Sequence, residues 1–421
     1  MQVEILTIGD EVLSGRTIDT NFAFLARALE AANVQVVWHT TVGDSAPHIS
    51  EGLRHALTRA DAVIATGGLG PTPDDLTRKV VATVLRRPLQ LEEQVLREIR
   101  ERAKRSRRRV PVSIESQALI PRGAEVWPNP VGTAPGLLIV SQKKPVILLP
   151  GVPAEMEALA TRFLVPYLRE RTGRFVETFT LRTSGVWESM LHEKIGKTPQ
   201  KWPGATLAYL PSYFGVDLRV TVSGTDEGQV HAVTGRAYEE LKALVASVMY
   251  AEGAATIEQV VGELLVAKGW KIATAESCTG GLLAKRLTDV PGSSRYVERG
   301  FVTYSNASKV ELLGVSEQDL EAHGAVSAPV AEQMARGARA RAGAEVGVGI
   351  TGIAGPDGGS EQKPVGTVFI ALSTPDGEVV RDYRIVATRA AVRERSAQQA
   401  LDLVRRRLLG LSLDPSLEGG R

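Results

Sequence analysis

With 421 residues and 43% hydrophobic side chains, the chain is too long for one core and is expected to fold as two to four globular domains. Its 50 lysines and arginines against 48 aspartates and glutamates exclude a bulk electrostatic pull on nucleic acid, so any basic patch must be local. The one cysteine, Cys278, excludes an intrachain disulfide and a cysteine-rich zinc site.

Residues 3–8 read as a buried strand, 21–32 as an amphipathic helix, 34–38 as a second strand, 49–59 as a second helix and 61–65 as a third strand. Glu4 and Asp10 interrupt the first stretch as a leader, and no apolar run is long enough to cross a bilayer. A cytoplasmic protein without membrane contact is therefore expected. Strands alternating with helices predict a parallel sheet covered on both faces, with ligands gathering beyond the strand C-termini. The loops found there are Gly9-Asp10-Glu11 and T-G-G-L-G-P-T-P-D-D at 66–75. The second matches neither the dinucleotide fingerprint nor the P-loop. Gly67, Gly68 and Gly70 let a phosphate approach the backbone, with Thr72 beside them. Carboxylates next to phosphate-binding amides call for a divalent cation, and Asp74, Asp75 and Asp10 are the candidates. The competing reading makes Asp74 the cap of a helix opening at Leu76, with Asp75 serving its dipole.

Residues 91–109 form a helical pattern ending in K-R-S-R-R-R, a cationic end that reads either as a solvated face or as a nucleic-acid contact. The turn-rich loop 129–136 carries Asn129 and Gly132. A strand at 145–149 then runs into P-G-V-P and a helix starting near Pro153, which closes the first domain around residue 170. From 175 to 250 a strand (177–183), a helix (188–195), two strands (206–210 and 217–223) and a last helix (229–248) predict a small α+β unit. Residues 251–255 read as a linker, after which Thr256 and Gln259 form a capping box.

The last third carries three chemistry-bearing stretches. A-E-S-C-T-G-G at 275–281 lies between a strand (270–275) and a helix (282–287), which puts Ser277, Thr279, Gly280 and Gly281 at a helix N-terminus. Unpaired N–H groups there favour a phosphate or a developing oxyanion, although a hydroxyl in that place also serves simply as a cap. F-V-T-Y-S-N-A-S-K at 301–309 is again strand into helix, with Tyr304 at the strand end and Asn306 and Lys309 on the helix. T-G-I-A-G-P-D-G-G at 351–359 follows the apolar run 346–350 and turns the amides of Thr351, Gly352 and Gly355 toward an anion. A strand (380–385) and a helix (390–409) finish the domain. Arg389, Arg393 and Arg395 there either meet an anionic ligand or face water, and the tail after Gly410 is expected to fray.

These motifs together resemble the CinA family of competence- and damage-inducible proteins over essentially the whole chain. The resemblance rests on G-D-E-V-L-S-G at 9–15, G-G-L-G-P-T-P-D-D-L-T at 67–77, L-P-G-V-P-A-E-M at 149–156, A-E-S-C-T-G-G, Y-S-N-A-S-K and G-I-A-G-P-D-G-G, in that order. It implies an α/β protein of three domains. Residues 1–170 are similar to molybdopterin-binding proteins of the MoaB and MogA type and are expected to hydrolyse the diphosphate of ADP-ribose with magnesium, manganese or cobalt. Residues 171–250 are expected to be KH-like. Residues 256–410 are similar to nicotinamide mononucleotide deamidases, which need no cofactor and release ammonia and nicotinate mononucleotide. Gly185-Val186-Trp187-Glu188 stands near the place of the KH backbone clamp, and the acidic Glu188 argues against nucleic-acid binding there. A homodimer is the expected assembly, being the common case. The competing class is a pterin-binding or DNA-uptake and repair accessory protein without catalysis.

For the amide hydrolysis, Ser277 is the expected nucleophile, with Lys309 and Tyr304 relaying its proton to ammonia. Amides near 279–281 or 351–352 are expected to hold the oxyanion, with Arg393 on the substrate. The resemblance places the family's Ser, Tyr and Lys on these residues. A free lysine titrates near ~10.4, so a neutral base at pH 7 needs a shift of about 3 units, or roughly 4 kcal/mol. Cys278 is the rival nucleophile, and no adjacent histidine activates it. Of the six histidines only His323 lies in this domain, which disfavours a Ser-His-Asp triad.

Overall fold

The structure, a computed structural model, describes residues 1–105 and 115–413. The side chains of the basic run at 104–109 lie outside the described residues. The chain divides into two compact units, Met1–Glu177 with Ser223–His231, and Thr178–Val222 with Ala232–Arg421.

In the first unit the strands are β1 (Gln2–Ile8), β2 (Gln35–Val42), β3 (Ala62–Thr66), β4 (Leu89–Leu91), β5 (Leu119–Pro121), β6 (Glu125–Trp127), β7 (Gly136–Ser141) and β8 (Lys144–Leu149). Six of them form one sheet in the order β2-β1-β3-β8-β7-β6, and β4 pairs with β5 alone. Every residue of β3 is buried, as befits a central strand covered on both faces. Leu25, Leu29, Leu159 and Leu164 pack one face, and Ile49, Leu53, Val81 and Leu137 belong to the core on the other. The expectation of a parallel sheet holds for β1, β2, β3 and β8. It fails for β7 and β6, which run antiparallel. Gln142 and Lys143 join β7 to β8 with φ of 50° and 66°, and two left-handed residues in a two-residue turn build a hairpin.

The second unit holds two sheets. The strands β9 (Phe175–Thr183), β10 (Ala205–Ser212), β11 (Gly215–Gly224) and β12 (Met249–Glu252) order as β10-β11-β9-β12. The helices Glu188–Ile195 and Glu227–Val245 complete the small α+β pattern. The linker read at 251–255 is partly strand. Ala251 and Glu252 end β12, and Tyr250 and Ala251 are buried in the core of the last domain. The physical reason is pairing: β12 adds to β9 and so carries ladder hydrogen bonds that a linker would leave to water.

The last sheet comprises β13 (Ile272–Glu276), β14 (Val297–Val302), β15 (Val346–Gly352), β16 (Thr367–Thr374) and β17 (Gly377–Arg384), ordered β14-β13-β15-β16-β17. The first three are parallel and the last two antiparallel. Thr256 and Gln259 form the expected capping box on the helix Ile257–Lys268. The helix Ala328–Ala342 lies so close to β15 that a Cβ on Gly347 or Gly349 would stand 2.1 or 2.3 Å from a helix carbonyl oxygen. The long helix Arg389–Leu409 buries Asp402, whose carboxylate accepts from Arg405 Nε at 2.9 Å and Arg406 Nε at 2.7 Å. Those guanidiniums also donate to the carbonyls of Met249 and Ser247. Two buried cations with one carboxylate are thus completed by backbone oxygens of the middle segment.

Candidate active sites

β13 has parallel neighbours on both sides, so the residues just past β13, β14 and β15 meet at one sheet edge. That edge is where ligands of open α/β sheets bind. Ser277 N donates to Ile350 O at 2.9 Å and Thr303 N to Glu276 O at 2.9 Å, which fixes the three strand ends against one another. The helix Asn306–Leu313 then carries Lys309 back over the edge, with Ser305 capping it through Ser308 N. As a result Lys309 Nζ lies 3.2 Å from Ser277 Oγ. The same amine donates to the carbonyls of Thr303 at 2.8 Å and Tyr304 at 3.2 Å. Lys309 is 1% exposed, and burial pulls its pKa below the ordinary lysine value. Its three neighbours are all neutral oxygens.

The other expected residues divide. Tyr304 contributes its backbone carbonyl to Lys309, but the residue is 62% exposed and its hydroxyl accepts from Arg389 Nη2 at 3.2 Å. The phenol therefore stands beside the Ser–Lys pair rather than in its hydrogen-bond chain. Arg389 also donates to the Gly355 carbonyl at 2.6 Å, tying the helix Arg389–Leu409 to the glycine-rich loop. Arg393 donates to Thr279 O at 2.7 Å and borders Gly280. Gly281 has φ of 90°, a turn that L side chains resist. Thr351 Oγ1 is spent on Ala325 O at 2.8 Å, which pins the end of β15. Gly352 sits so near Cys278 Sγ that a Cβ there would be 3.1 Å from it. Asn306 opens its helix on an exposed position. Thr279 Oγ1 and Thr303 Oγ1 are buried without a partner.

Two readings of the sequence need correction. The helix after the turn does not offer its whole first turn to an anion, because Glu276 occupies it. That fully buried carboxylate accepts from Leu283 N at 3.0 Å and Ala284 N at 2.8 Å. A side chain at the strand end has taken the place that a free phosphate would need. Cys278, the rival nucleophile, is buried and its thiol is pushed up to about 12, far from a thiolate at neutral pH.

In the first unit the loops after β1, β3 and β8 likewise share an edge. Gly151 packs near Gly67, where a Cβ would be 3.3 Å from the Gly67 Cα. Gly68 faces Thr77, whose hydroxyl donates to Gly67 O at 2.9 Å. Asp75 Oδ2 accepts from Thr72 N at 2.8 Å and Thr72 Oγ1 at 2.5 Å, and stands directly behind Gly70. Asp10 Oδ1 accepts from Asp44 N at 3.2 Å while Asp44 Oδ2 accepts from Asp10 N at 2.9 Å. Asp44, which the sequence reading missed, is held above the ordinary carboxylate value by burial first, with Asp10, Glu11 and Asp75 adding repulsion. Asp74 is exposed. Among the described residues no three His, Cys, Asp or Glu side chains are gathered as a ready metal cage. Asn129 is fully engaged: its oxygen accepts from the amides of Val131 and Gly132, and its nitrogen donates to Ala134 O and Glu155. Arg102 donates to the carbonyls of residues 129–132 and closes that loop.

Comparison with known proteins matches three consecutive models to the chain. A probable molybdopterin binding domain covers residues 4–170, the KH domain of damage-inducible protein CinA covers 178–251, and the CinA C-terminal domain covers 254–408. A putative competence-damage inducible protein of Symbiobacterium thermophilum is 44% identical over 97% of this chain and 99% of its own. The chain belongs to the CinA family. A CinA-like protein of Gemmatimonas aurantiaca is 42% identical over 96% of both chains. The crystal structure of a CinA protein with unknown function from Thermoplasma acidophilum is 38% identical, covering 38% of this chain and 94% of that one at a TM-score of 0.36. In this CinA-family member no helix among the described residues is long and apolar enough to cross a membrane.

Within this CinA-family chain, then, the structure joins Ser277 to Lys309, adds Glu276 and Asp44 to the residues read from sequence, and sets Arg389 on the Tyr304 hydroxyl and the Gly355 carbonyl. Glu276 stands in A-E-S-C-T-G-G just past the strand read at 270–275, and the sole hint of its role is a carboxylate ahead of a helix start.

Proposed function

We propose that the last domain hydrolyses the carboxamide of nicotinamide mononucleotide. The observation that carries this reading is the setting of Lys309 Nζ, with two contacts to fixed carbonyls and the third to Ser277 Oγ. A neutral amine has two N–H donors and one lone pair. With the carbonyls of Thr303 and Tyr304 taking the two N–H groups, the lone pair faces the serine hydroxyl, which then donates to it. Burial favours this neutral state. Ser277 Oγ adds to the carboxamide carbon as its proton passes to Lys309. The tetrahedral adduct collapses with that proton going to the departing ammonia, and water releases the acyl group from the serine. Because Glu276 holds the amides of Leu283 and Ala284, oxyanion donors come from the turn 278–281 or the start of the loop after β15. Arg389 fixes the Tyr304 ring as a wall for the pyridine, and Arg393 braces the turn through Thr279 O.

For the first domain we propose hydrolysis of the ADP-ribose diphosphate. Gly67, Gly68, Gly70 and Thr72 line the loop that receives the phosphates, and Gly132 the neighbouring one. A hard dication held by one or two carboxylates and by the substrate's own phosphates needs no protein cage, and Asp10, Asp75 and the exposed Asp74 fit that use. Bound there, the ion would neutralise charge building on the diphosphate oxygens. A second reading, a pterin-binding module, is favoured by the family model matched at 4–170.

Full-length protein is assayed for ammonia from nicotinamide mononucleotide and, separately, for AMP from ADP-ribose with magnesium, manganese or cobalt. Ammonia release that Ser277→Ala abolishes and Cys278→Ala spares supports the first reading, and the reverse pattern overturns it. No AMP with any of the three ions leaves the first domain as a binding module.

A further inference from the structure

A groove of about 570 Å³ opens in the second unit between the middle segment and the last domain. It is distinct from the Ser277–Lys309 pair, although the stretch from Arg384 to Arg395 serves both. Arg384 and Arg395 line the groove, while Arg389, between them in sequence, holds Tyr304.

One feature of its lining runs against local structural preference, and two more rings join it. Tyr213 and Phe214 form the two-residue tip of the β10–β11 hairpin, between the paired Ser212 and Gly215, and both are exposed. Trp187 is the N-cap of the helix Glu188–Ile195, where Ser, Thr, Asp or Asn is preferred, and it is 68% exposed with no side-chain cap made. Three exposed aromatic rings thus gather along one groove, one of them at a cap position that local structure would give to a small polar residue, a departure of the kind expected at functional or strained sites. Phe214 is held in place by the Arg286 guanidinium, 4.8 Å from its ring centroid. Arg286 is itself fixed by Glu258 and by Gln398 at 2.7 Å. Phe214 therefore stands on a braced support rather than a loose tip.

The wall opposite is cationic. Arg395 has no hydrogen-bond or ion-pair partner among the described residues, and Arg384 has only the Thr367 hydroxyl at 3.3 Å. Aromatic faces beside unneutralised guanidiniums, in a cavity within the range of ligand pockets, match a planar base carrying a phosphate. Glu188 at the same mouth is a single carboxylate against two arginines.

We propose that this groove is a second nucleotide site. The base of a nucleoside monophosphate stacks among Trp187, Tyr213 and Phe214, and its phosphate meets Arg384 and Arg395. Occupancy there bears on the segment that carries Arg389, so the site is placed to modulate the neighbouring reaction centre.

The test uses the full chain with AMP as the probe, measured by calorimetry and by tryptophan fluorescence. Wild type is compared with Arg395→Glu and with the hairpin variant Tyr213→Asn/Phe214→Gly, which removes both rings and leaves polar turn residues at the tip. The expected result is one AMP site per chain lost, or weakened at least tenfold, in both variants, together with a fluorescence quench absent from Trp187→Phe. Melting temperatures close to wild type establish that the variants are folded. Unchanged AMP stoichiometry and affinity in folded variants overturn the proposal. So does a change in oligomeric state in the hairpin variant with AMP binding intact, which would make the groove a surface between two copies of the chain. Because binding is the readout, failure here is separate from failure of the amide-hydrolysis reading.

Discussion

The two candidate sites lie at equivalent edges of α/β sheets, yet they are built to different degrees. At the edge of β13 the reacting pair is already in hydrogen-bond contact, and each supporting bond ends on backbone. At the edge of β3 the carboxylates of Asp10, Asp44 and Asp75 spend themselves on neighbouring amides and hydroxyls and repel one another. On the proposed reading the first arrangement takes substrate alone, because neutral carbonyls fix the amine without charge, whereas a cation arriving with the diphosphate would relieve the repulsion in the second.

That contrast can be broken most directly at the nucleophile. Ser277→Ala is expected to cut ammonia release by about 10⁴-fold or more while leaving AMP release untouched. Lys309→Met should cost about 10²–10⁴-fold in kcat. Its stability should move the other way. Burial holds the folded Lys309 pKa below the unfolded value near ~10.4, so between those two values the unfolded chain binds the extra proton and wild-type stability rises with pH. Below the folded value the full cost of the buried charge is present. Lys309→Met removes it, so denaturant unfolding at neutral pH should show a variant no less stable than wild type, with a flatter pH dependence up to that limit. A variant much less stable at neutral pH would show that the lysine holds the fold as an ammonium.

At the other edge, Asp75→Asn should lower metal-dependent AMP release at least about tenfold and weaken the ion's effect on thermal stability. Equal behaviour of variant and wild type at saturating ion would remove Asp75 from the site. A smaller effect is expected at Glu276→Gln, which trades a charged acceptor of two helix amides for a neutral one. The expected loss is about 1.5–3 kcal/mol in denaturant unfolding, confined to the second unit. Cys278→Ala should be the mildest, within about threefold of wild-type activity, since burial pushes its thiol up to about 12, away from the thiolate a nucleophile needs.

Much of this was legible in the residues, and for identifiable reasons. The strand-turn-helix pattern of A-E-S-C-T-G-G and of Y-S-N-A-S-K gave the position of Ser277 and Lys309 because hydrophobic period and capping chemistry are local. Their meeting follows once β13 and β14 are parallel neighbours. The role of Tyr304 was not legible, since its hydroxyl partner, Arg389, is 85 residues away. Nor was the antiparallel β7, because S-Q-K-K carries no Asn-Gly signal for the hairpin it forms. Residues 251–255 misread as a linker for a similar reason: small residues signal flexibility, and only the long-range partner β9 makes two of them strand.

β12 has a practical bearing on how this protein is dissected. Tyr250 and Ala251 fill the same apolar core as Ile257, Val261 and Leu265, and the carbonyls of Ser247 and Met249 complete the pair of guanidiniums around Asp402. A fragment begun at residue 254 therefore carries an open seam along its own interior. Excision a few residues earlier, before Ser247, keeps that seam stitched, and the two fragments should differ in solubility before any assay is run.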